Sequence, residues 1–128
     1  MKHPYGANQY RQMAVTTASR GQLLLMLYEG AIKNIRTAQT CLDAKNIAGK
    51  GVAIGKAHDI INELINTLDF SIGGQIAIDL ERLYNYMIDQ LVLANCECTK
   101  EPLIVVQRLL ETLLEGWRAA VVGANKRS

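Results

Sequence analysis

A chain of 128 residues with 49 % hydrophobic but only 5 % aromatic residues is long enough for one self-sufficient core and needs no second domain. Its 14 basic and 12 acidic residues give a formal net charge of +2, with no basic run beyond Lys126-Arg127, so the concentrated positive stripe that nucleic-acid binding requires is lacking. No apolar run approaches about 18 residues, and Met1-Lys2-His3-Pro4-Tyr5 leads into polar sequence rather than a secretory signal, which predicts a soluble cytoplasmic protein with no membrane insertion.

Three cysteines, Cys41, Cys96 and Cys98, have no framework spacing and are expected as reduced thiols. Strand signals are scarce, because the β-branched residues sit inside patterns of helical period. The prediction is an all-α protein.

Residues 1–18 form a mostly polar arm in which Tyr5, Tyr10, Met13 and Val15 are spaced too irregularly for a long helix. A frayed terminus is the plainer reading; the apolar residues also suit a detachable cover. Ser19 has the spacing to cap a first helix, with Gln22 completing a capping box, and the helix is expected over about residues 20–44. Its stripe comprises Leu24, Leu27, Ala31, Ile35, Ala38 and Leu42. At about 100° per residue the apolar run Leu23 to Leu27 covers the whole circumference, so Leu25, Met26 and Ile32 are expected to point away from the bundle.

Asn46 to Gly51 is expected as the turn that follows. A second helix over about residues 52–71 puts Ala53, Ile54, Ala57, Ile61, Leu64 and Leu68 in an arc of about 140°. Gly73-Gly74 breaks the pattern. A third helix over about residues 75–95 carries a core stripe of Ile76, Leu80, Leu83, Met87, Leu91 and Ala94, widened by Ala77, Tyr84, Ile88 and Val92 to about half the circumference. Thr99, Glu101 and Pro102 are suited to open a fourth helix, which runs to about Val122. Residues 123–128 are left as a short basic tail. Four such helices joined by short connections specify an antiparallel up-and-down four-helix bundle over residues 19–122, preceded by a flexible N-terminal arm.

Catalytic chemistry is hard to find. A di-metal bundle needs Glu-x-x-His pairs, yet Gly55 stands three residues before His58, and His3 lies in the arm. Cys96-x-Cys98 offers two thiolates where a closed zinc site needs four ligands. His58 falls at the edge of the apolar arc, which leaves a histidine phosphotransfer bundle as an alternative, although no cation follows one turn on at Ile61 or Asn62. There is no phosphate-cradling loop and no nucleophile elbow. No enzyme, cofactor or metal is implied. What remains is surplus apolar surface, suited either to a groove for another amphipathic helix or to the interface of a structural homodimer.

The run Tyr10…Val15-x-Thr17-Ala18-Ser19, followed by Leu23-x-x-Met26-Leu27-Tyr28-x-Gly30-Ala31-Ile32, closely resembles the flagellin export chaperone family (FliS). The likeness continues through Lys56-Ala57, Ile60-Ile61-x-Glu63-Leu64, Leu68-Asp69, Gly73-Gly74-x-Ile76-Ala77 and Leu83-Tyr84-x-Tyr86-Met87. Arg20 departs from the proline common after the serine, and Gln75 from the acidic residue common after the glycine pair. The resemblance implies a chaperone that holds the amphipathic C-terminal segment of flagellin, prevents its premature polymerisation and brings it to the gate protein of the flagellar export apparatus. The client groove is then expected to comprise Leu25, Met26, Ile32, Ile61, Ile65, Tyr84, Ile88 and Val92, with Tyr5 and Tyr10 as its cover.

Overall fold

The structure, a computed structural model, describes residues 20–127, with side chains to residue 123. Helices occupy Arg20–Asp43 (α1), Ile47–Asn66 (α2), Phe70–Gly73 (α3), Gln75–Glu97 (α4) and Glu101–Arg127 (α5). There is no strand among the described residues. The expected arm, with Tyr5, Tyr10 and the Ser19 cap, lies outside them.

Around the bundle, α1 packs on α2 and α5, and α4 packs on the same two helices. Each long helix therefore neighbours those that precede and follow it, as short connections require of an up-and-down bundle. Side-chain pairs along α1 and α5 give the direction: Glu29 accepts from Arg118 at 2.7 Å, Arg36 donates to Glu111 at 2.7 Å, Gln39 donates to Gln107 at 2.7 Å, and Lys100 donates to Asp43 at 2.9 Å. As the α1 number rises the α5 number falls, so the two are antiparallel. The exposed ion pairs in this ladder fix register more than they stabilise, each being worth about 0–1 kcal/mol. Stability comes from the apolar centre, where Ile35, Ile61, Met87, Leu91, Leu103 and Leu110 are fully buried.

Element boundaries differ from expectation at three places. The first turn is shorter than Asn46 to Gly51. Lys45 takes a left-handed conformation (φ 59°), its amide bonds to Leu42 O at 3.1 Å, and the Asn46 amide bonds to Cys41 O at 2.8 Å. This closes α1 as a Schellman motif. The Asn46 side chain then caps α2 by accepting from the Gly49 amide at 2.9 Å. Gly49 is thus helical, and its lack of a side chain serves packing: a Cβ there would lie 2.5 Å from Asn46 Nδ2 and 2.9 Å from Cys41 Sγ.

The second helix ends at Asn66 rather than Ser71. The Thr67 hydroxyl donates to Leu64 O at 2.6 Å, and the Asp69 carboxylate accepts from the amides of Ser71 and Ile72 at 3.0 and 3.2 Å. A carboxylate offering these bonds competes with continuation of the helix and starts a new one. The Ser71 hydroxyl, then the Ile72 amide, hold the Asp69 carboxyl below its ordinary range. Gly74, at φ 53° and ψ −123°, turns the chain into α4 in a conformation that side chains oppose.

At the C-terminal end α5 continues to Arg127, so residues 123–127, expected as a tail, prolong the helix. The Lys100 carbonyl, not the expected Thr99, accepts the first amide of this helix, from Ile104 at 3.0 Å.

Gly49→Ala is expected to destabilise the fold by about 1–3 kcal/mol through overpacking against Asn46 and Cys41. Urea unfolding followed by circular dichroism measures the loss; a stability equal to or above the parent would refute the close-packing role.

Candidate functional site

Two tyrosines cross the centre of the bundle. Tyr28 of α1 and Tyr84 of α4 are buried, with hydroxyls 2.6 Å apart and rings edge to face at 6.4 Å and 63°. Burial raises the pKa of Tyr28, an effect lessened by the Tyr84 hydroxyl and then by the nearby Trp117 indole. Burial also raises that of Tyr84, with the adjoining Tyr28 adding to the shift. The Trp117 Nε1–H is close enough to act on Tyr28, yet it is buried and makes no hydrogen bond of normal geometry.

The seam between α2 and α4 is fixed by its polar end. Lys50 Nζ donates to Asn95 O at 2.9 Å, and a Cβ on Gly51 would lie 3.9 Å from Asn95 Oδ1. Gly51, His58 and Ile65 recur at seven-residue steps on α2, as do Asn95, Ile88 and Glu81 on α4. Steps of seven keep to one side of a helix, so Ile65, His58 and Ile88 follow this seam, with Val92 one turn from Ile88. Ile65 and Ile88 are half-buried against the core, and Val92 is 49 % exposed. Among the groove residues expected on α2 and α4, these three keep exposed surface. Ile61 and Tyr84, expected beside them, are sealed in the core, because the seam closes over them.

The α1 residues separate from that seam. Leu25 and Ile32 lie fourteen and seven residues before Gln39, whose amide bonds to Gln107, and so face the seam with α5. Ile32 is only 5 % exposed and Leu25 packs on the core cluster, which corrects the expectation that both point away from the bundle: α5 takes up this side. Met26 is half-buried and shares its line with the exposed Lys33 and Thr40. Ile32 and Leu114 floor a cleft of about 810 Å³ whose rim carries charges of both signs, from Lys33, Arg36, Glu111 and Glu115.

A second apolar area was not expected. Phe70 and Ile72 of α3 are 45 % and 86 % exposed, and Ile76, expected in a core stripe, is 67 % exposed. The broken helix after Asn66 lifts this stretch off the bundle, and no side chain of α3 is buried. The signal available in the sequence was Asp69 placed to cap Ser71 and Ile72, with Gly73-Gly74 beyond.

His58 Nδ1 is 3.0 Å from Asn62 Nδ2, so that ring nitrogen is engaged within its own helix. No group of His, Cys, Asp and Glu could hold a metal among the described residues, and no helix among them is long and apolar enough to cross a membrane. The described residues form a helical bundle with exposed apolar residues on α4 and, at one end, on α3.

Comparison with known proteins identifies the family of this bundle. Residues 1–124 match the family described as Flagellar protein FliS. The chain is 37 % identical over 118 residues to the flagellar secretion chaperone FliS of Salmonella typhimurium, covering 88 % of this chain and 87 % of that one. It is 36 % identical over 113 residues to flagellar secretion chaperone FliSB of Pseudomonas aeruginosa, covering 85 % and 90 %. With FliS of Bacillus subtilis it shares 32 % over 126 residues, covering 98 % and 92 %. The chain belongs to the FliS family of flagellar secretion chaperones, which is not a family of enzymes.

Tyr84→Phe leaves the buried Tyr28 hydroxyl without its partner and is expected to lower stability by about 1–3 kcal/mol, read from urea unfolding by the fluorescence of Trp117, the one tryptophan. Both tyrosines hold their protons more tightly folded than unfolded. Their stabilisation is therefore complete below the ordinary tyrosine value of 10.0 and falls as pH rises above it. A variant with phenylalanine at both positions should lose part of this alkaline dependence; an unchanged profile would refute the assignment.

Proposed function

We propose that the chain holds the amphipathic C-terminal segment of flagellin against its apolar seam and end. In this reading it keeps the client from premature polymerisation in the cytoplasm and delivers it to the gate protein of the flagellar export apparatus. The observation that carries the reading is the open line Ile65, Ile88 and Val92 between α2 and α4, with Phe70, Ile72 and Ile76 exposed beyond Ile65. Membership of a secretion chaperone family supplies the class of client.

An amphipathic helix has one stripe to bury, and a seam flanked by two helices offers it a matching groove. Burial of several hundred Å² of apolar surface contributes on the order of 10 kcal/mol gross, much of it offset by the ordering of a previously unfolded client. Leu25, Met26 and Ile32 then serve a second stretch of client along α1 or support the groove from behind. Residues 1–18, with Tyr5 and Tyr10, cover the apolar surface until client arrives.

Calorimetric titration with a peptide copying the flagellin C-terminus should give micromolar or tighter binding with a negative heat-capacity change. Val92→Asp, which places a charge at an already exposed position, should weaken it by about tenfold or more, or at least about 1.4 kcal/mol. Absence of binding at micromolar peptide would refute the client, and unaltered binding by Val92→Asp would refute the seam. Gel filtration alongside the titration separates this reading from a structural homodimer, which would be a dimer without peptide and ignore its addition.

A further inference from the structure

Between α2 and α4, the two helices that flank the seam, runs the short helix α3, and its ties to the bundle are few. The Thr67 hydroxyl closes α2 on Leu64 O, and the Asp69 carboxylate turns to the amides of Ser71 and Ile72. α3 itself is one turn, with the Gly73 amide on Asp69 O at 2.8 Å and the Gly74 amide on Phe70 O at 3.1 Å. Among the described residues, no hydrogen bond from residues 67–74 reaches beyond four positions along the chain. A single turn bears the cost of helix nucleation with little of the gain of propagation. No α3 side chain is buried, and its packing is chiefly on α4.

Both ends of the segment have a place to turn. At the exit Gly74 takes φ 53° and ψ −123°, and no atom lies within 4 Å of where a Cβ would stand, so the pivot is a glycine in open space. At the entry Leu68 rests half-buried on the core, while Asp69, next in the chain, is exposed and feels the charge of Arg20 on α1, a weak tie across solvent. Segments with few buried apolar contacts and exposed backbone hydrogen bonds open at low free energy, and lids are drawn from them, a few terminal residues absorbing the motion.

The load this segment carries is apolar. Ile72, 86 % exposed, is the most exposed large hydrophobic side chain among the described residues, and Phe70 is 45 % exposed. Residues 70–78 contain no charged side chain, so this surface suits an apolar guest rather than an ionic one. A rigid connection would gain nothing by presenting both side chains to water.

We propose, resting on the client's place in the α2–α4 seam, that α3 is a hinged clamp: residues 67–74 close over a helix lying in that seam and cover it with Phe70 and Ile72. Connectivity selects the occupant. The segment is joined to both walls of this seam and to no other pair of helices, so its swing passes over the mouth of the groove the client fills. Closing takes Ile72 and part of the guest out of water together, and the guest supplies the differential contact that shifts the segment to its closed state.

Amide hydrogen exchange on the full chain, read by mass spectrometry with and without a peptide copying the flagellin C-terminus, tests this. In the free protein, residues 69–74 should exchange at least about tenfold faster than the middle turns of α2 and α4, and the peptide should slow them by about tenfold or more. Ile72→Ser, at a position already in water, should leave the urea midpoint unchanged and weaken peptide binding by about tenfold. Slow exchange of residues 69–74 in the free protein would overturn the hinge. Fast exchange that the peptide leaves unaltered, or undiminished binding by Ile72→Ser, would overturn the clamp while leaving the client in its seam; a peptide that does not bind at all overturns the client itself and the clamp with it.

Discussion

Two buried hydroxyls bonded to each other across the core constrain this bundle more than any apolar contact does. Leucine and isoleucine stripes tolerate rotation, since a helix turned by a fraction of a residue still buries carbon. Tyr28 and Tyr84 do not: a buried hydroxyl without a partner loses about 1–3 kcal/mol, and their 2.6 Å bond exists only in one rotation of α1 and α4. Fixing these two opposite helices fixes the faces they leave outward. Ile88 and Val92 open onto the α2 seam because Tyr84, one turn before Ile88, points inward.

The sequence made the helices legible because their apolar residues recur with helical period, and it made the family legible through a long local pattern around Leu23 to Ile32. It was less informative about sides. Ile32 and Ile65 both lie at the margin of an apolar arc, yet Ile32 is buried while Ile65 flanks an open seam; the difference is which neighbouring helix is present, a fact of packing and not of periodicity. The exposed Ile76 continues the period of the α4 core stripe, and only the cap at Asp69 explains why the bundle does not reach it. Lys50 was hidden for the opposite reason: the flanking glycines suggest a loop, whereas the Asn46 cap and the close packing at Gly49 make them the first turns of α2.

The two ends of the bundle are built differently. Where α1 and α4 finish, polar groups are paired in detail: Asn46 with Gly49, Asp43 with Lys100, and Lys50 with Asn95 and Cys98. At the other end, α3 exposes Phe70 and Ile72, and among the described residues its N-cap Asp69 is held by its own following residues and the charge of Arg20. Such asymmetry suits a carrier. A pinned end keeps α2 and α4 at constant spacing, and an apolar end with little buried area can adjust to a guest at small energetic cost.

These features meet in the α2–α4 seam. Gly51 stands beside Asn95, where an added Cβ would lie 3.9 Å from Oδ1, and Lys50 locks this step of the seam through Asn95 O. Asn95 sits in the last turn of α4 and Val92 in the turn before it, so the bond that pins α2 to α4 and the exposed apolar position of α4 share one helix.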